Sequence, residues 1–88
     1  MNGRIELRNP RITYYPGGDI LFIEFREGEP THTKTFGDWV IVDTGEDGAL
    51  HSVELVNASA GIDLTGLPER EKIEAAIRAI PQFKVLAT

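Results

Sequence analysis

The 88-residue chain has no cysteine, one methionine, one tryptophan and only two histidines. Without thiols there is no disulfide framework, thiolate zinc site or cysteine nucleophile. Each imidazole would need a second group of another type within reach to act as a base or a metal ligand. No apolar run approaches the roughly 18 residues of a membrane span. The opening MNGRIELRNPR is charged and lacks the apolar centre of a secretory signal. The expected setting is cytoplasmic.

Positive charge is scarce through most of the chain. Net charge is −5, and residues 12–66 carry ten acids against only Arg26 and Lys34. Such a surface repels a phosphate backbone, so no nucleic-acid partner is expected. Phosphate-loop chemistry is absent too. Gly61 and Gly66 have the spacing of that loop's glycines, but Leu67-Pro68 follow where Lys and Ser/Thr are required. Ser52 and Ser59 lack a nucleophile-elbow context. No enzymatic activity and no cofactor are expected.

What the chain does contain is alternation. Ile12 and Tyr14, then Leu21, Ile23 and Phe25, alternate on either side of Pro16-Gly17-Gly18-Asp19, which reads as a hairpin of residues 11–15 and 20–26. Thr31 to Phe36 is a third strand, and Gly37-Asp38 bends the chain before the next. From Trp39 to Ser59 the sequence reads WVIVDTGEDGALHSVELVNAS, two alternating runs joined by Asp47-Gly48. A two-residue type I′ turn at that dipeptide would place Glu46 opposite Ala49, hence Val42 opposite Val53 and Val40 opposite Leu55 on the core face. The other face then receives Trp39, Ile41, Glu54 and Val56, together with Ile20 and Phe22 from the second strand.

The last third holds one helix, expected over 68–80. Pro68 suits its first turn, and Pro81 stops it. Ile73, Ala76, Ile77 and Ile80 form an apolar stripe, while Glu69, Glu71 and Arg78 suit the dipole. The expected fold is therefore α+β in one domain, 1–88: an antiparallel β-meander of four to five strands over 11–59, one C-terminal amphipathic helix, and a tail, 81–88. One helix cannot hide both faces of a sheet whose two sides are half apolar. A second subunit is expected to complete the burial, joined by Phe83, Val85 and Leu86 of the tail.

The stretch from Ile12 to Ser59 resembles the domain-of-unknown-function family twenty-two eighty-three, short bacterial and archaeal proteins. The resemblance rests on Ile12-Thr13-Tyr14, Pro16, Asp19, Leu21, Ile23, Val40-Ile41-Val42-Asp43, Glu46, Gly48, Leu50, Glu54 and Ala58-Ser59. It departs at Tyr15, Gly17, Gly18, His51, Ser52 and Asn57. The resemblance implies a small β-meander with no assigned activity. Some such relatives accompany toxin-like partners, which points to an antitoxin or other partner-binding role.

Two sites follow as expectations. Trp39, Ile41, Val56 and Phe22 form a partner-binding face, serving a homodimer or a basic protein partner. The alternative is a small ligand or metal held by Asp43, Glu46 and Asp47 at the acidic hairpin tip. Asp43, Gly45, Asp47, Gly48, Leu50 and Glu54 do fall at calcium-loop intervals, but the third position lacks an oxygen and the flanks read as strands rather than helices, so no metal is expected. His51 reads as an exposed strand residue facing Thr44, with Asp43 one residue away.

Overall fold

Residues 10–88 are described by a computed structural model. The Ile5/Leu7 alternation, a candidate edge strand, lies outside them. Five strands, β1 (Arg11–Tyr15), β2 (Ile20–Glu24), β3 (His32–Phe36), β4 (Val40–Thr44) and β5 (Leu50–Val56), form one antiparallel sheet. Their order is β1-β2-β5-β4-β3, so the β3–β5 meander folds back and β5 pairs with β2. The fold is the expected α+β arrangement, with a finer topology that local patterning does not carry.

The first turn works differently from its composition. Gly17 and Gly18 keep ordinary backbone angles, and Asp19 takes the left-handed conformation at φ 55°. Aspartate tolerates this because its short carboxylate bonds nearby groups. Gly18 N–H donates to Tyr15 O and Asp19 N–H to Pro16 O, both at 3.3 Å.

The hairpin tip corrects the expected turn. Gly48 alone has positive φ, at 79°; Gly48 N–H donates to Gly45 O at 2.9 Å, and Gly45 N–H to Ala49 O at 3.0 Å. This is a three-residue loop, Glu46-Asp47-Gly48, with the glycine supplying the left-handed residue. Gly45, not Glu46, faces Ala49. That offset shifts the register by one and pairs Thr44 with Leu50, until a bulge at His51 restores it at Asp43↔Ser52. Beyond the bulge, Val42↔Val53 and Val40↔Leu55 pair as the alternation indicates.

The core lies on one face of the sheet. Leu21, Ile23, Val40, Val42, Val53 and Leu55 are buried there. They are covered by Ile73, Ala76 and Ile77 of helix α1 (Arg70–Arg78) and by Ile62, Leu64, Leu67 and Phe83 from the segments around it. Helix α1 is shorter than 68–80 at both ends: Glu69, at φ 49°, delays its start to Arg70, and it ends at Arg78 with Ala79 as its C-cap. The Glu69 side chain turns back to accept the Leu50 N–H at 2.9 Å. That bond holds its carboxyl below the usual range, aided by Lys72. After a 3-10 turn at Ala58–Ala60, two short strands, β6 (Ile62–Asp63) and β7 (Val85–Ala87), pair in parallel and fix the tail. Phe83 packs edge-on against Tyr14, centroids 5.0 Å apart, so the tail closes this chain's own core at that position. No helix among the described residues is long and apolar enough to cross a membrane.

Candidate functional site

Strand alternation sends one side chain in two away from α1, and the registers arrange these in rows across the sheet. The central row is Thr13, Phe22, Glu54, Ile41 and Thr35. Beside it lie Tyr15, Ile20 and Val56, and on the other flank Arg11, Glu24, Ser52, Asp43 and Thr33. The expected partner-binding residues Phe22, Ile41 and Val56 thus share one face, over which no helix or strand of the described residues packs. Trp39 adjoins them at the mouth of β4, its carbonyl accepting the Val56 N–H at 2.7 Å. Ile20, Phe22, Ile41 and Val56 remain half-buried, while Tyr15 and Trp39 are 52% and 54% exposed.

Electrostatics on this face are one-sided. Among the described residues Glu24, Asp43 and Glu54 stand against one cation, Arg11, whose guanidinium lies 3.6 Å from Glu24. Asp43 is engaged, accepting from Thr33 Oγ1 at 2.6 Å and from Ser52 Oγ at 3.4 Å. Glu54 is different. Flanked by Phe22 and Ile41, it is partly buried, and no side-chain hydrogen bond or ion pair reaches its carboxylate among the described residues.

The acidic tip does not assemble a centre. Asp47 accepts from Arg26 Nη1 at 2.9 Å and from Ala49 N–H at 3.0 Å, contacts that hold its carboxyl below the usual range. Asp43 is tied into the sheet, and Glu46 is exposed in the loop. Among the described residues no three His, Asp or Glu side chains are placed to share a metal ion.

His51 is buried rather than exposed, at 5% accessibility. It alternates with Val53 and Leu55 onto the core side, where Nε2 lies 2.9 Å from Gly28 O and Nδ1 3.0 Å from Ser52 Oγ. A carbonyl only accepts, so Nε2 carries a proton and ties the β2–β3 connection to β5. His51, Ser52 and Asp43 form a chain of contacts with the serine rather than the histidine in the middle, and Ser52 is 1% exposed, a sealed hydroxyl that meets no substrate.

Sequence reasoning did not find the groove on the core side of the sheet. It encloses about 500 Å³ where the β3–β4 end meets the β6–β7 pair, and it is lined by Phe36, Trp39, Val40, Leu55, Ile62 and Leu86 among others. Its walls come from segments far apart in sequence. The aromatic content around Phe36 and Trp39 was the one available signal.

With the geometry in view, comparison with known proteins decides the family. The profile of the family described as "Protein of unknown function (DUF2283)" matches residues 11–59. The chain belongs to that family. No curated protein and no solved structure matches it. The matched segment spans the five-stranded sheet and ends at Ser59. Tyr14, Asp19 and Ser59, all within the matched segment, form one hydrogen-bonded cluster. The cluster is a structural clasp at this end of the sheet, and the helix, the tail and much of the groove belong to the part of the chain beyond the matched segment.

Proposed function

We propose that this DUF2283 protein is a non-enzymatic interaction module that docks a basic protein partner on its uncovered sheet face. The observation that carries this reading is Glu54, a carboxylate without a side-chain partner among the described residues, set between Phe22 and Ile41 at the centre of the half-apolar face. An incoming Lys or Arg at that point gains an ion pair in surroundings drier than open solvent. Phe22 and Ile41 lie two strands apart, roughly 10 Å at ordinary strand spacing. That matches the girth of an amphipathic helix, whose apolar face would cover the row.

Charge favours a different chain over a second copy. Stacking two of these faces about a twofold axis brings Glu24, Asp43 and Glu54 of one subunit toward the same acids of the other, with Arg11 alone to offset them among the described residues. An antitoxin-like role is one form of the same reading, with a basic toxin-like protein as the partner.

The reading is tested by using wild-type chain and an Ile41→Ser/Glu54→Lys double variant as baits in lysate of the native cells, with quantitative mass spectrometry. A basic protein enriched by wild type and lost from the double variant, itself folded by circular dichroism, is the supporting result. Identical captures by both baits refute the face.

A further inference from the structure

We propose that the core-side groove is a second site, bordering the sheet face at Trp39 and Val56, that binds a small organic cation with an apolar body, of the aryl- or alkylammonium class. The argument begins with size and lining. A volume of about 500 Å³ falls within the range of ligand sites rather than of packing defects. The walls are apolar: Phe36 and Val40 at the β3–β4 end, Leu55 from β5, Ile62 and Leu67 below, and Leu86 on the far side.

The Leu86 wall is built in. A Cβ placed on Gly61 would stand 2.6 Å from Leu86 Cδ1, so the leucine lies directly on the glycine backbone, which is also held at φ 107°. Only glycine allows both. Leu86 is nonetheless 65% exposed and Trp39 54%, so two large apolar residues meet at the groove with much of their surface uncovered.

Charge then selects the occupant. Among the described residues the charged ones lining the groove are Asp38 and Asp63, with no Lys, Arg or His. Asp63 is kept ionised by the Thr65 N–H at 2.9 Å, which holds its carboxyl below the usual range. An anion would be repelled by two carboxylates, and a neutral apolar molecule would leave them unused. A cation on an apolar body satisfies both parts of the lining, and Trp39 offers it an aromatic surface, the Phe36 ring being taken by Lys34 Nζ at 5.2 Å from its centroid. The chemistry is binding alone.

Trp39 is the chain's sole tryptophan and lines the groove, so its fluorescence reports occupancy. Three probes share one apolar body and differ in charge: 2-phenylethylammonium, 2-phenylethanol and 3-phenylpropionate. The ammonium is expected to saturate the signal at millimolar concentration, the alcohol to bind about fivefold more weakly, and the carboxylate not to bind, as one solvent-accessible ion pair implies. Asp38→Asn/Asp63→Asn should erase the difference between ammonium and alcohol. Ala60→Phe, at an exposed lining position, should abolish binding of both while leaving the circular dichroism spectrum unchanged. No saturation by the ammonium, equal affinity for ammonium and alcohol in wild type, or binding indifferent to Ala60→Phe would each overturn the proposal. The Ile41→Ser/Glu54→Lys variant should bind the ammonium normally, which separates this site from the sheet face.

Discussion

Asp19 and Ser59, forty positions apart, are joined by a 2.6 Å hydrogen bond from the serine hydroxyl to Oδ2 of the aspartate. The same carboxylate accepts from Ser59 N–H at 3.0 Å and from Tyr14 OH at 2.7 Å, while Asp19 O accepts the Ala58 N–H. One side chain thus ties the β1–β2 turn to the exit of β5. Asn at position 19 keeps tolerance of the left-handed backbone and one acceptor; Ala keeps neither. Melting temperature should fall in the order wild type, Asp19→Asn, Asp19→Ala, with the last lowered by several degrees. Equal melting temperatures for wild type and Asp19→Ala would contradict the clasp.

The clasp also sets an acid dependence. Ser59 first, then Tyr14, holds the Asp19 carboxyl below its ordinary value of 3.8. Between that value and the folded one, the unfolded chain binds a proton that the fold does not. Stability from Asp19 is therefore full above about pH 4 and is lost as pH falls through the folded pKa. Asp47 and Glu69 are lowered in the same direction and add to the slope. Denaturant midpoints measured from pH 5 down to 2 should decline less steeply in Asp19→Asn than in wild type. Parallel declines would exclude Asp19 as a contributor.

Glu69 caps a strand rather than its own helix. Its carboxylate takes the Leu50 N–H beside the His51 bulge, so Glu69→Ala strands a donor at the start of β5. The expected loss is about 1 kcal/mol by chemical denaturation, and Glu69→Gln, which retains an acceptor, should recover most of it. If Gln proves as harmful as Ala, the contribution lies in charge near Lys72 and not in the capped amide.

The two faces of the sheet should respond differently to truncation. Ile77→Ala, at a site with no exposure, should cost about 2–5 kcal/mol. Ile41→Ser, on the uncovered face, should cost about 1 kcal/mol or less. A loss at Ile41 as large as that at Ile77 would mean that the face is covered in the free protein and is not a docking surface.

The relation between sequence and fold is clearest in the β4–β5 hairpin. Period-2 alternation placed Val40, Val42, Val53 and Leu55 together and put Phe22, Ile41 and Val56 on the opposite side, because any register that buries one valine set buries all of it. The tip was not legible, since Asp47-Gly48 suits a two-residue turn and a three-residue loop almost equally, and the bulge at His51 cancels the difference. His51 shares the parity of Val53 and Leu55 and so falls on the core side, although its polar residue type reads as exposed. The parallel β6–β7 pair joins Ile62 to Val85 through two strands of three residues or fewer, too short for a periodic signal. The groove inherits that opacity, because Ile62 and Leu86 reach it only once those strands pair.

A photo-crosslinking side chain on the uncovered face tests the central claim most directly. p-Benzoylphenylalanine is placed at position 41 in one chain and at position 75, on the exposed back of α1, in another, and both are irradiated in the native cells. The expected result is a discrete adduct with a basic protein from position 41, absent from position 75 and lost when Glu54→Lys is added. No adduct from position 41, adducts of the same protein from both positions, or an adduct indifferent to Glu54→Lys would contradict docking on this face.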